Sequence, residues 1–245
     1  MPESVQKTII GAQYFSEPVE LTPILILATG FALGLGHSLD PDHVVAVSTL
    51  LCNSSSLRKS IVSATAWGAG HSIMLFIVGL LVLTLRVAIP ESVVSLFESA
   101  AGILLVILGL FVVKPIIVER IHSHGHANHD ESHTHSDSHV AESVKGPTHL
   151  HKSAFTGGLQ GLGGSAALML VTLTTVSSVE LGLVFILVFG VGMILGMIGV
   201  ACLFSSLLSY TASHLEKVYV AIKAATGLAS IVFGVFIIAQ IAVQM

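Results

Sequence analysis

Long apolar stretches, separated by short polar breaks rich in Gly, Pro and Ser, run along most of this 245-residue chain. Several reach the roughly 20 residues that a helix needs to cross a bilayer. The pattern predicts helical spans near 22–48, 60–85, 92–117, 154–177, 181–208 and 217–243. One insert departs from it: residues 119–152 are hydrophilic and crowded with histidine. The expected fold is all-α, a polytopic membrane protein with about six transmembrane helices. Its parts would be an N-terminal segment (1–21), a first three-helix half (22–118), the His-rich loop (119–152) and a second three-helix half (153–245).

The two halves carry matching glycine patterns. "GFALGLGHS" from Gly30 matches "GGLQGLGGS" from Gly157, and "WGAGHSI" from Trp67 parallels "FGVGMIL" from Phe189. In the third spans Gly102, Gly109 and Phe111 parallel Gly227, Gly234 and Phe236. The offsets are 127, 122 and 125 residues. An odd number of spans per half puts the halves in opposite orientations, the inverted-repeat plan of many secondary transporters.

Composition agrees: 53% of residues are hydrophobic and 10% charged, against about 25% charged in soluble domains. The net charge of −4 suggests no nucleic-acid partner, and two isolated cysteines, Cys52 and Cys202, suggest neither disulfides nor a thiolate metal site. The first twenty residues lack a basic segment followed by an apolar one, so insertion is expected to be driven by the first span. Lys and Arg gather on the side of the first, third and fifth connections: Arg58, Lys59, Arg120, Lys145, Lys152 and Lys217. The positive-inside rule then sets both termini outside and the His-rich loop in the cytoplasm of a plasma-membrane protein.

Against this background "GHSLDPDH", Gly36 to His43, is costly. One charged side chain at a helix centre costs roughly 2.5–3.5 kcal/mol even on the lenient scale. Asp40 and Asp42 would cost about twice that unless compensated, and a bound cation compensates them directly. On a straight helix His37, Asp40 and His43 share an arc while Asp42 faces away. Pro41 removes the hydrogen bond to the His37 carbonyl, so a kink that frees this carbonyl and swings Asp42 and His43 inward is expected. His71, in the second span, lies about 16 Å from the cytoplasmic side and His37 about 22 Å from the outside, so the two could share a site. Imidazole and carboxylate without thiolate suit Ni, Co, Zn or Fe(II). A proton relay is the rival reading of the cluster, and a packed histidine that of His71. Glu98 and Lys223 read as side chains snorkelling to the interface.

"HSLDPDH" resembles the H-x(4)-D-H signature of the nickel/cobalt transporter family, and more closely that of its six-span UreH-like relatives found with urease systems. "GHS" at Gly70, "GLGGSAAL" at Gly161 and "FGVGMILGM" at Phe189 follow in the family's order, so the likeness spans essentially the whole chain. It implies a permease that takes up Ni²⁺ or Co²⁺ through His37, Asp40, Asp42, His43, His71 and Ser72. Pro41 stands where the signature commonly has alanine, and Gln160 where a histidine is expected. Gln160, Ser165 and Met193 are therefore the second-half lining residues, Met193 having an ordinary core methionine as its alternative.

Nine histidines lie between His122 and His151, among them His122, His124, His126, His129, His133, His135 and His139. So polar a tract cannot bury a core, and histidine-rich tracts bind divalent metals. It is expected to be disordered and reads as a cytoplasmic buffer or relay that takes metal leaving the permeation site, or as a solvated linker, with a cytoplasmic metallochaperone as a further partner. Similar loops occur in six-span nickel/cobalt efflux proteins of the RcnA type, whose signature resembles HGLEPGH. Asp42 replaces their glycine, which favours uptake over efflux. An accessory protein for urease or hydrogenase maturation is the further alternative. The transported ion is the substrate, no permanent cofactor is expected, and the bilayer is the other partner. Without HExxH or another catalytic pair, an enzyme is not expected.

Overall fold

A computed structural model describes residues 23–52, 54, 56–86, 89–123, 148–161, 163 and 178–244. Among these the chain forms seven helices and no strand: α1 (Pro23–His37), α2 (Pro41–Leu51), α3 (Leu57–Leu85), α4 (Glu91–Ser123), α5 (Thr148–Gln160), α6 (Val179–His214) and α7 (Glu216–Gln244). Helices α3, α4, α6 and α7 are long and apolar enough to cross a membrane, and α1 with α2 forms a fifth unit bent by 56°. The span expected at 154–177 begins in α5, and its continuation over 164–177 lies outside the described residues, as do residues 1–22 and 124–147. The 36 residues of α6 extend about 54 Å. That exceeds a hydrocarbon core of about 30 Å, so α6 must tilt or project beyond it.

Local chemistry sets the helix ends. Ser56 and Ser178 accept hydrogen bonds from the backbone N–H groups of Lys59 (3.4 Å) and Leu181 (3.2 Å), capping α3 and α6. Helix α3 stops at Arg86, the single non-glycine with positive φ among the described residues (51°), just ahead of Pro90.

Apolar side chains cover the outside, among them Ile73, Leu96, Phe111, Leu203 and Val232. This arrangement leaves the lipid to solvate them. Inside, Trp67, Leu51, Ile186, Phe189, Met193 and Met197 form one core shared by α2, α3 and α6. Lipid is as apolar as these side chains, so close backbone approach has to supply much of the helix cohesion. Glycine permits it. Gly34 of α1 lies on the Phe189 carbonyl of α6, and Gly192 of α6 on the Phe31 carbonyl of α1. Helices α3 and α5 meet in the same manner, Gly157 on the Trp67 carbonyl and Gly70 on the Ala154 carbonyl. Gly68 faces Ile194 while Gly190 faces Ser72. Gly102 and Gly109 of α4 oppose Gly234 and Gly227 of α7, and between these pairs Ser230 donates to the Leu105 carbonyl at 2.7 Å. Gly30 on Phe185, Gly34 on Phe189 and Ser38 on Gly196 rise together and make α1 parallel to α6. Trp67 on Gly157 with His71 on Gly161 makes α3 parallel to α5, while α3 and α6 run antiparallel, as do α4 and α7.

These contacts come in matched sets. Gly157, Gly192 and Phe189 follow Gly34, Gly70 and Trp67 by 123, 122 and 122 residues. Gly157 therefore makes the contact that Gly34 makes, whereas Gly30 meets the Phe185 ring. The motif match of Gly30 with Gly157 is one helical turn out of step with the contacts. Glycines recur every fourth residue here (Gly30 and Gly34, Gly157 and Gly161), so letter identity selects the register with more shared glycines, one turn from the register that the contacts make.

Candidate metal centre

The break between α1 and α2 builds the site. Pro41 occupies the first position of α2 with Asp40 as N-cap, where a missing N–H costs no helical hydrogen bond. The Leu39 and Asp40 N–H groups donate to the carbonyls of Gly36 (2.9 Å) and His37 (3.0 Å), and the Asp40 carbonyl accepts from His43 and Val44 at 3.0 Å each. The expected kink with a freed His37 carbonyl is thus corrected: the helix ends and restarts, and Asp40 N–H occupies that carbonyl. Ser38, fully buried, closes the turn by donating to the Leu35 carbonyl at 2.6 Å and packs against Gly196 of α6.

The restart brings together three imidazoles that a straight helix would not. His37 ends α1, His43 lies in the first turn of α2, and His71 lies midway along α3. Each offers a ligand atom within 4.8 Å of the others. His37 Nε2 and His71 Nε2 face one another at 3.3 Å. This is the distance of a hydrogen bond between the rings, and it is also about the 3.3 Å that separates two nitrogens bound at about 2.0–2.1 Å to a tetrahedral ion, so a cation could replace the shared proton with little movement. His43 is fully buried and His71 1% exposed.

Carboxylates hold the outer edges of the histidines. His37 Nδ1 donates to Asp40 Oδ2 at 2.7 Å, which leaves Nε2 with its lone pair directed at His71. Asp42 Oδ2 lies 2.8 Å from His43 Nδ1. That contact has ion-pair distance without hydrogen-bond alignment, and both His43 nitrogens and His71 Nδ1 are buried with no hydrogen-bond partner. A buried polar atom left unsatisfied costs about 1–3 kcal/mol, so a cluster of them marks a place where something else binds.

Two residues not assigned a role from sequence complete the walls. Trp67, one turn before His71, stacks on it with ring centroids 5.4 Å apart and meets His43 edge-on at 5.1 Å. Phe189 of α6 lies 5.3 Å from the His37 ring. Trp67 is the single tryptophan, and its i, i+4 spacing from His71 was the available signal. Trp67 Nε1 donates to Gln160 Oε1 at 3.2 Å. Since indole can only donate, this bond fixes the amide with its NH₂ turned away. Gln160 Nε2, in a side chain 1% exposed, has no partner. Met193 is fully buried in the apolar core, and Ser72 Oγ is buried without a hydrogen bond. Ser165 and the loop histidines His124, His126, His129, His133, His135 and His139 lie outside the described residues, and of His122 only the backbone, at the end of α4, is described.

A cavity of about 370 Å³ adjoins the cluster and is lined by Asp40, Asp42 and Gln160, with Glu98 of α4 and Phe236 and Gln240 of α7. The histidines do not line it. Asp40 and Asp42 stand between it and the imidazoles. Glu98, expected to snorkel, lines this cavity, its Cγ 3.9 Å from where a Cβ on Gly163 would lie.

The chain is 36% identical over 219 residues to the urease accessory protein UreH of Bacillus sp. (strain TB-90), covering 89% of this chain and 92% of that protein. It belongs to the UreH-like nickel/cobalt transporter family. A protein of Methanocaldococcus jannaschii described as a "Putative nickel/cobalt efflux system" is 25% identical over 191 residues, 76% of this chain and 78% of that protein. The Arabidopsis thaliana chloroplast protein FOR GROWTH AND FERTILITY 1 is 35% identical over 88 residues, 35% of this chain and 24% of that protein. No family model and no solved structure matches. Membership of this family and the run of apolar helices identify a multi-pass membrane protein, and neither UreH nor the efflux system carries an enzyme's name.

Proposed function

We propose that this protein is a secondary permease that takes up Ni²⁺, with Co²⁺ as the alternative cargo, through a site formed by His37, His43 and His71. The carrying observation is the trio of buried imidazoles with the 3.3 Å separation of His37 and His71 Nε2. Asp40 orients His37, and Asp42 supplies charge beside His43 and is close enough to enter the coordination sphere. A cation entering this centre exchanges water for nitrogen, and the two carboxylates offset its charge where lipid cannot. The sequence carries no nucleotide-binding motif, which supports a secondary mechanism, and competition of protons with metal for the imidazoles offers a means of coupling to a proton gradient.

The scaffold reading is two inverted three-helix halves, with the unit α1/α2, α3 and α4 exchanged for the fourth span, α6 and α7. The matched glycine contacts support it, and so do the helix directions, which agree with six alternating spans. The termini would be outside, and the His-rich segment between α4 and α5 a cytoplasmic metal buffer.

Likeness to the accessory protein fits an importer that supplies metal to an enzyme, while likeness to the efflux system supports the reverse direction. Accumulation of ⁶³Ni in cells expressing the protein separates them. Uptake raises intracellular nickel, and His43→Ala abolishes the rise; a fall in intracellular nickel overturns the direction. Proteoliposomes separate a permease from a membrane-bound store, which would bind nickel without moving it.

A further inference from the structure

Building on the permease reading, we infer that the cavity beside the centre is the loading chamber for the still-hydrated cation, with Glu98 as the carboxylate that draws the ion in. The chamber differs from the centre behind it in every relevant property. Its acidic groups, Asp40, Asp42 and Glu98, are oxygen acceptors, which suit the outward-pointing hydrogens of metal-bound water. The imidazoles behind them can bind only after water leaves. Its volume of about 370 Å³ exceeds the roughly 180 Å³ that six waters occupy at about 30 Å³ each. A hydrated divalent ion therefore fits with some outer water.

A second observation points to that water. Gln160 lines the chamber, and its buried Nε2 has no protein acceptor. The bond from Trp67 holds the amide oxygen, so the NH₂ cannot be exchanged for it. On this reading a small shift of the amide gives it an acceptor in the chamber, the outer hydration layer of the entering ion.

The antiparallel pair α4 and α7 gives the chamber a polarity. These helices cross where Ser230 meets the Leu105 carbonyl. Glu98 precedes Leu105 by seven residues and Lys223 precedes Ser230 by seven, so the two charges lie about 10 Å to either side of the crossing, at opposite ends. Glu98 borders the chamber, whereas Lys223 lies by the Tyr219 ring, 5.3 Å from its centroid. A cation is drawn to the Glu98 end and repelled at the other. The ion enters beside Glu98, passes Asp40 and Asp42, and loses water to the imidazoles.

The test is stopped-flow binding of Co²⁺ to the detergent-solubilised full chain, read by the visible absorption that develops when nitrogen ligands replace water. Glu98→Gln is expected to slow association about 3- to 10-fold at an ionic strength near 0.01 M. The final spectrum should stay unchanged, and the difference should shrink below about twofold near 0.3 M, where the screening length is a few ångströms. Glu98→Asp should keep most of the wild-type rate, and His71→Ala should lose the absorption. Association by Glu98→Gln equal to wild type at low salt, or slowed equally at all salt concentrations, overturns the chamber. Proteoliposome flux is measured separately, so a protein that binds Co²⁺ without moving it refutes the permease while the on-rates still decide the chamber. A wild type that develops no absorption sinks both.

Discussion

His37 and Gln160 occupy matching places and do different things. Each stands three residues beyond a glycine pressed on an aromatic residue's carbonyl, Gly34 on Phe189 and Gly157 on Trp67. Each side chain then meets that same aromatic: the His37 ring lies 5.3 Å from Phe189, and Gln160 accepts from Trp67 at 3.2 Å. Yet His37 is bonded to a carboxylate and faces a second imidazole, whereas Gln160 spends its oxygen on an indole and leaves its NH₂ without a partner. His71 and Met193 differ likewise, 122 residues apart. Packing is thus repeated between the regions, while among the described residues the clustered imidazoles sit in one of them. Substitutions that act on the shared packing should hurt both regions alike, and those that act on chemistry should not.

The largest expected effect lies on the chemical side. His71→Ala removes an imidazole from a centre with three, and nickel affinity should fall by more than about 100-fold, beyond the 10–100-fold typical of losing an outer partner. Met193→Ala should leave affinity within about threefold and lower stability by about 2–5 kcal/mol instead. Equilibrium dialysis with ⁶³Ni, alongside thermal unfolding in detergent, separates the two. Equal losses of affinity would place the methionine at the ion and end the contrast.

Gly34→Val and Gly157→Val test the shared packing. Each Cβ would strike a backbone carbonyl of a neighbouring helix, and overpacking of this kind costs about 1–3 kcal/mol. The two should lower the unfolding midpoint by similar amounts, with Gly36→Ala, whose Cβ meets nothing within 4 Å, as the mild control. A cost at Gly34 several times that at Gly157 would break the correspondence between the regions.

Much of this was legible in the sequence, and the exceptions have physical causes. Hydropathy reports burial in lipid directly, so α3, α4, α6 and α7 appear within six residues of their expected bounds. The cluster from His37 to His43 was legible through its cost, and His71 through depth alone. The helix restart at Pro41 was not, because proline inside a helix and proline at its first position look identical in a string of letters. The Trp67–Gln160 bond joins residues 93 positions apart, which no local pattern encodes. Glu98 reads from sequence as a span-end carboxylate reaching for water. Sequence gives its depth, but only packing shows that it lines a cavity together with Asp40 and Asp42.

A smaller effect distinguishes the two carboxylates. Asp40 receives an aligned bond from His37 at 2.7 Å, while Asp42 approaches His43 at 2.8 Å without alignment. Asp40→Asn should reduce nickel affinity about 10-fold through loss of ring orientation. Asp42→Asn should weaken it less when Asp42 acts by charge alone, and more when it ligates the ion. Isothermal titration of both variants with Ni²⁺ ranks them.

The smallest effect asks whether chemistry can be returned to the second region. Gln160→His gives it the imidazole that its counterpart has. Residue 160 is close enough: its amide meets Trp67, which stacks on His71, and a Cβ on Gly161 would lie 2.8 Å from the His71 carbonyl. The change removes the Trp67 bond, costing about 1 kcal/mol of stability, and it also removes the buried NH₂ that lacks a partner, which offsets part of that. A fourth imidazole should tighten nickel binding about fivefold and slow release by a similar factor, so transport at saturating nickel falls while half-saturation moves to lower concentration. Tighter binding with slower turnover would mean that the second region faces the ion and that glutamine there keeps the site weak enough to unload. If affinity and turnover both stay at wild-type values, the ion is held by the first region alone and the second serves as wall.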